Sequence, residues 1–324
     1  MQNTKLDLLA LTDEGLARLY AERIEPILSA QELNRHVAMK TFYWRIALVA
    51  LGAVGVGVLV WFWSTEIFNA LIFGGVAFVA GYWFAYQPLA AVGTAAKSQS
   101  LTSIADAIDC TYELSAFEKD GLPHFQELRL LPSCDRSDYQ DCFRGTHKGC
   151  AFAFYEGHLE TRHQTKNGTS WRTVFRGQLI CIAFPKKFLG TTVVRRDAGI
   201  FNTVARWMST TQRVALGDSR LEKAFEVYST DQVEARYLIH PVFMERLLAL
   251  ETAFKGERLR CAFIDGDLLI AIEGGDKFEI GSMFANLADI TRVRAIVTDI
   301  TEIMRLIEAV LTAEQSALPL NTKS

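Results

Sequence analysis

No charged side chain occurs from Ile46 to Phe62, and none from Ile67 to Leu89. An ordinary surface helix carries charge on its outer face, so that absence excludes two such helices here. A basic surplus is missing as well: the net charge is -3 and 22% of the residues are charged. Nucleic-acid binders normally advertise a strong positive excess, so no nucleic-acid partner is expected. No G-x-G-x-x-G or P-loop opens a helix after a strand, and neither G-x-S-x-G nor H-E-x-x-H occurs, which disfavours the enzyme classes those spacings mark. The six cysteines contain no C-x₂-C pair, the spacing of common zinc modules.

What separates the two uncharged runs is Ser64, Thr65 and Glu66. As one helix, the whole stretch of about 44 residues would be roughly 66 Å long. A hydrocarbon core is about 30 Å thick, so two spans of about 20 residues fit it and one does not. Glu66 then sits at a bend in water, where its charge avoids the cost of mid-bilayer burial. Tyr43, Trp44, Arg45, Trp61, Trp63, Trp83 and Tyr86 flank the spans as interface anchors. Ala53 with Gly57, and Ala77 with Gly81, are small pairs that let helices approach. Arg35, Lys40 and Arg45 precede the first span, Lys97 follows the second, and the turn has no Lys or Arg. The positive-inside bias therefore places both termini in the cytoplasm, as expected of a multi-pass inner-membrane protein. A cleaved secretory signal is not expected, because about 45 residues that read as helix precede the apolar run.

The domain reading is a helical N-terminal segment over 1–42, a hairpin over 43–89 with spans near 43–63 and 67–88, a linker and short helix over 90–124, an α+β domain over 125–315 and a loose tail over 316–324. Pro26 interrupts the first helix. Beyond Phe125 the apolar period shifts toward strands, with Lys148-Gly149, Asn167-Gly168 and Asp265-Gly266 as turn signals. "GTTVVRR" reads as a strand and "DAGIFNTVARWM" as a helix. Ser229 with Gln232 fits a capping box, Pro241 opens a helix and Gly256 ends it. Phe243, Leu247, Leu250 and Phe254 form its buried stripe, and a last helix from about Met283 to Leu311 carries Ile296, Ile300, Ile303, Ile307 and Val310. Antiparallel strands with segregated helices give an α+β class.

Few residues point to chemistry. Cys134, Cys142, His147 and Cys150 form the one cluster worth testing for zinc, and buried thiols are the commoner outcome. Asp265-Gly266-Asp267 reads as a hairpin turn before it reads as a metal motif. Glu234, Arg236, Glu245 and Arg246 lie at helical spacing, where charges usually form a solvated face. Lys186, Lys187, Arg195 and Arg196, with Arg206 and Trp207, could meet anionic lipid headgroups or a partner. No catalytic, cofactor or metal residue is assigned.

The stretches "LYAERIEPIL", "FRGQLICIAFPKKFLGTTVV", "FEVYSTDQVEARYLIHPVFMERLLALE" and "AFIDGDLLIAIEG", with the paired spans, resemble the bacterial family called domain of unknown function 3137. "YSTDQVEARYLIHP" is the most specific of them. The resemblance implies a membrane-embedded bacterial protein with a cytoplasmic-type domain and no assigned activity. Together these features lead to an expectation of a binding, scaffold or sensor module for a partner protein or anionic lipid, with self-association as a further option. The alternative is a membrane-bound hydrolase without a recognisable motif.

Overall fold

The computed structural model describes residues 8–165, 168–196, 211–215, 222, 225–275, 278 and 290–317. The chain divides into two units, one built on Glu14–Ile104 and one on Ala105–Phe278 with the C-terminal helix.

The first unit is helical. A short helix α1 (Asp13–Leu19) leads through a π turn at Tyr20–Ile24 into α2 (Glu25–Ser64), and α3 spans Ile67–Ala107. Pro26 does not interrupt the helix. It occupies the first turn of α2, where its missing N–H would have had no partner anyway. Between α2 and α3 the chain turns sharply at Thr65, whose φ of 57° is left-handed and whose N–H bonds to the carbonyl of Trp61 at 2.8 Å. That left-handed residue closes the end of α2. The bend expected at Ser64–Glu66 is present, with Glu66 exposed. Past Pro88, α3 continues as helix through the small-residue segment that the composition suggested was a linker, and its alanines favour that conformation.

The second unit is built on an antiparallel sheet, whose strands among the described residues are β1 (Thr111–Glu113), β2 (Arg136–His147), β3 (Cys150–Thr165), β4 (Gly168–Ala183), β5 (Thr192–Arg196), β6 (Gln212–Arg213), β7 (Phe225–Ser229), β8 (Glu257–Ile264) and β9 (Asp267–Glu273). Their order across the sheet is β1-β2-β3-β4-β9-β8-β5-β7-β6. The helices are α4 (Leu122–Glu127), α5 (Gln232–Leu238), α6 (Pro241–Ala253) and α7 (Ile290–Ala317). Mixed helix and antiparallel sheet is the α+β class expected.

Two tight turns fix the register. Lys148 and Gly149 have φ of 48° and 82° between paired His147 and Cys150, the left-handed pair that a two-residue hairpin needs. Asp265 and Gly266 do the same between Ile264 and Asp267. Gly168 opens β4 opposite Thr165, while Asn167 lies outside the described residues. At Gly177 the strands approach closely: a Cβ there would stand 2.0 Å from the carbonyl oxygen of Ile272 on β9.

Strand alternation sends side chains to two faces. On one face, Tyr155, Leu159, Phe175, Leu179, Leu269 and Ala271 meet Phe125 of α4 and the Leu128–Leu131 loop. On the other, Phe154 meets Phe254 edge-on at 6.0 Å and Phe263 meets Phe243 at 5.3 Å. All four stripe residues of α6, and Ile296, Ile300, Ile303, Ile307 and Val310 of α7, are buried. The expected segment 197–208 and the first turns before Ile290 lie outside the described residues. The cap of α5 differs from expectation. Asp231 holds the position, its carboxylate accepting from the N–H groups of Val233 and Glu234, while Ser229 instead bonds the backbone of Asp231.

Candidate functional site

Pairing in the sheet brings together arginines that are far apart in sequence. Val193 and Ala262 pair across β5 and β8 and belong to the first-face core. Two residues along each strand, Arg195 and Arg260 pair in turn and share that face. Glu226 pairs with Arg195 from β7, and Tyr228 pairs with Arg213 of β6. Like charges directly opposite each other are unfavourable, so their retention calls for compensation.

Part of that compensation comes from backbone carbonyls. Arg195 Nη2 donates to the carbonyls of Leu128 at 2.9 Å and Arg129 at 3.2 Å, and Arg260 Nη1 donates to that of Leu130 at 2.7 Å. Glu273 accepts from both Arg260 and Arg258, the latter at 3.3 Å. The Tyr228 hydroxyl donates to Glu226 at 3.3 Å. Among the described residues no carboxylate forms an ion pair with Arg195, although Glu226 stands opposite it in the sheet. Burial, followed by the neighbouring Arg129, pushes the Arg195 guanidinium below its ordinary range. Burial, then Arg195 and Arg258, pushes Arg260 down to about 10. Arginine stays protonated at physiological pH, so these shifts express burial first and neighbouring positive charge second. Planar guanidiniums of this kind match the oxygens of carboxylates and phosphates.

The basic residues singled out from sequence do not all meet. Lys186 and Lys187 are exposed in the loop between β4 and β5. Arg195 belongs to the first-face cluster. Its neighbour Arg196 points to the opposite face, pairs with Glu251 of α6 and covers the Phe225 ring at 4.6 Å. Arg206 and Trp207 lie outside the described residues. Sequence reading missed Arg129, Arg213, Arg258 and Arg260, because only strand order and register reveal that they converge.

The other chemical candidates have structural partners. Glu234 accepts the N–H groups of Leu189 and Gly190, both at 2.8 Å. His147 Nε2 lies 3.1 Å from Glu308 rather than among cysteines. Among the described residues no three His, Cys, Asp or Glu side chains are grouped to hold a metal ion. Cys142 is buried in the first-face core, where burial pushes its thiol up to about 12.

The helical unit has the reverse of a soluble arrangement. Phe42 and Leu89 are buried between the helices, and toward the turn small residues bring the backbones close: a Cβ on Gly74 would lie 3.2 Å from the carbonyl oxygen of Ala53, and one on Gly57 would lie 3.3 Å from that of Ala70. Gly81 faces the Val49 side chain more closely still, a Cβ there standing 2.4 Å from Val49 Cγ1. Large apolar side chains point outward, among them Leu51, Val54, Leu59, Phe62, Leu71, Val76 and Val79. Tyr43, Trp44, Trp61, Trp63, Trp83 and Tyr86 are exposed too, Trp63 at 92%. Arg45 lies over the Phe84 ring at 5.6 Å. A groove of about 370 Å³ between α2 and α3 is lined by Asn34, Val37, Thr41, Pro88, Val92 and Gln99 among others, with no charged group.

Residues 173–311 match the family model described as protein of unknown function (DUF3137). The matched DUF3137 segment contains β5 to β9, α5, α6 and most of α7, hence Arg195, Arg213, Arg258 and Arg260. No curated protein matches. A solved structure, the mycobacterial trehalose monomycolate transport factor A (TtfA), is similar at 13% identity and a TM-score of 0.34, covering 65% of this chain and 95% of that one. A likeness that distant carries no functional argument.

Proposed function

We propose that the protein is an integral membrane protein in which α2 and α3 cross the bilayer as a hairpin and the sheet unit serves as a binding module. The observation that carries this is the outward-facing apolar surface of α2 and α3. Both helices are long and apolar enough to span, and only 6% of the most apolar window of either is buried. A core helix of a soluble protein passes the same length test, but it would be mostly covered. Exposed apolar patches beyond a few hundred Å² are rare on soluble monomers, and lipid is the solvent that removes the cost. Packing through Gly57, Gly74 and Gly81 fits association in lipid, where close backbone approach replaces the hydrophobic drive.

The basic residues Arg35, Lys40, Arg45 and Lys97, set against a turn without any, support an orientation with both termini in the cytoplasm of an inner membrane. The sheet unit then meets a partner protein or the anionic leaflet. Two measurements test this on the full-length chain. After alkaline carbonate washing the protein should remain with the membrane pellet and leave it only in detergent; release by carbonate overturns the spanning hairpin. In sealed inverted vesicles protease should remove the sheet unit, and protection of that unit overturns the orientation.

A further inference from the structure

We infer that the first-face arginine cluster is a phosphate-binding site, formed by Arg195 and Arg260 at its base and by Arg129, Arg213 and Arg258 at its rim, with Tyr228 beside them. The inference names a ligand class for the binding module proposed above. It depends on the membrane reading only where the phosphate is that of a lipid.

Three observations carry it. The first is charge: among the described residues Arg195, Arg213, Arg258 and Arg260 share the locality with Glu226, Glu257 and Glu273. Glu273 is already engaged by Arg258 and Arg260, and among the described residues no carboxylate forms an ion pair with Arg195 or Arg213. The second is geometry: Arg195 and Arg260 are fixed by the carbonyls of Leu128, Arg129 and Leu130, which hold the forks without cancelling their charge. Preorganised guanidinium groups lose less freedom when a ligand arrives. The third is exposure. Arg129, Arg213 and Arg258 are exposed, so the base of the cluster is bordered by cations that solvent and ligand can reach. A dianionic phosphate brings several strong acceptor oxygens to such a set and relieves the repulsion between Arg195 and Arg260.

The same chemistry is offered by a free phosphate compound or by a phosphomonoester lipid headgroup, and the experiment separates them. Full-length protein in phosphatidylcholine nanodiscs is treated with phenylglyoxal, and modification of Arg213 and Arg258 is followed by peptide mass spectrometry. Inorganic pyrophosphate is added in one arm. In the other, phosphatidic acid replaces part of the phosphatidylcholine. Slowing by pyrophosphate identifies a soluble phosphate ligand, and slowing by phosphatidic acid alone identifies a headgroup. If neither slows modification, or if chloride at equal ionic strength slows it as much, the site is refuted. Calorimetric pyrophosphate affinity should fall about tenfold or more in the Arg213→Gln/Arg258→Gln variant, from lost charge-assisted hydrogen bonds. Lys186→Gln/Lys187→Gln should leave it unchanged, and an equal loss there would reduce the effect to bulk charge and overturn the site. Both pairs are exposed, so a retained melting temperature confirms that each variant folds. Should the chain prove soluble without detergent, the pyrophosphate arm still reads the site, so the two proposals fail separately.

Discussion

The Tyr112 hydroxyl donates a 2.5 Å hydrogen bond to Asp141 Oδ1, joining edge strand β1 to a bulge in β2. Asp141 is fully buried at a left-handed φ of 57°, and its N–H bonds to the carbonyl of Leu114 at 2.9 Å. Burial, then Asp141 itself, pushes the tyrosine hydroxyl far above its ordinary range. Tyr112→Phe removes the half-buried donor to this buried carboxylate while keeping the ring, which packs 5.0 Å from Phe143. The loss should be about 1–3 kcal/mol in urea unfolding of the full-length protein in detergent, and no change would show that the bond is replaced by water.

Gly177→Ala should be severely destabilising. The added methyl would stand 2.0 Å from the Ile272 carbonyl oxygen and 2.9 Å from the Gly274 nitrogen, both backbone atoms that no rotamer can move aside. A cost of about 2 kcal/mol or more is expected, from parting β4 and β9. Hydrogen exchange should localise the opening to those two strands; exchange unchanged there would contradict the close approach.

Asp267→Asn should stabilise the protein at neutral pH. Burial, with Asp265 and Asp120 nearby, holds the Asp267 carboxyl above its usual range, against a smaller opposing pull from His124. A carboxylate raised on folding is a cost that is absent below its unfolded value and grows as pH rises through the folded one. The variant's higher melting temperature should therefore shrink to nothing in acid. A variant that melts lower than wild type at pH 7 would show that the charge is needed at the β8–β9 turn.

Glu308 of α7 behaves oppositely. Lys148, 2.7 Å away, and then His147 lower its carboxyl below the usual range. The contribution is present above the unfolded value and lost as pH falls through the folded one. With about a third of the side chain exposed, Glu308→Gln should cost under about 1 kcal/mol, less at high salt. A double-mutant cycle with Lys148→Met measures the coupling, and a value of zero would make the pair ornamental.

Local signals in this chain were legible in sequence, and pairings over distance were not. Lys148-Gly149 and Asp265-Gly266 announce their turns because few residue types accept left-handed backbone. The stripe from Phe243 to Phe254 announces a helix with one buried face. By contrast, β5 lies between β8 and β7 rather than beside β4, its neighbour in sequence. Nothing in the local pattern of "GTTVVRR" encodes that placement, which follows from how whole strands bury against each other. The arginine cluster inherits the same obscurity, since its members come from a loop and three strands. At Ser229 the signal itself was ambiguous: Ser229, Thr230 and Asp231 are all of the capping type, and the backbone used Asp231.

Five of the six cysteines are buried: Cys110, Cys142, Cys150, Cys181 and Cys261. Burial raises the thiols of four of them, Cys110, Cys142, Cys181 and Cys261, above their ordinary range. Alkylating reagents attack the thiolate, so these side chains react when the sheet opens and hardly before. The unmodified chain thus carries its own chemical recorder, in which the order of labelling along the sequence would map which strands part first.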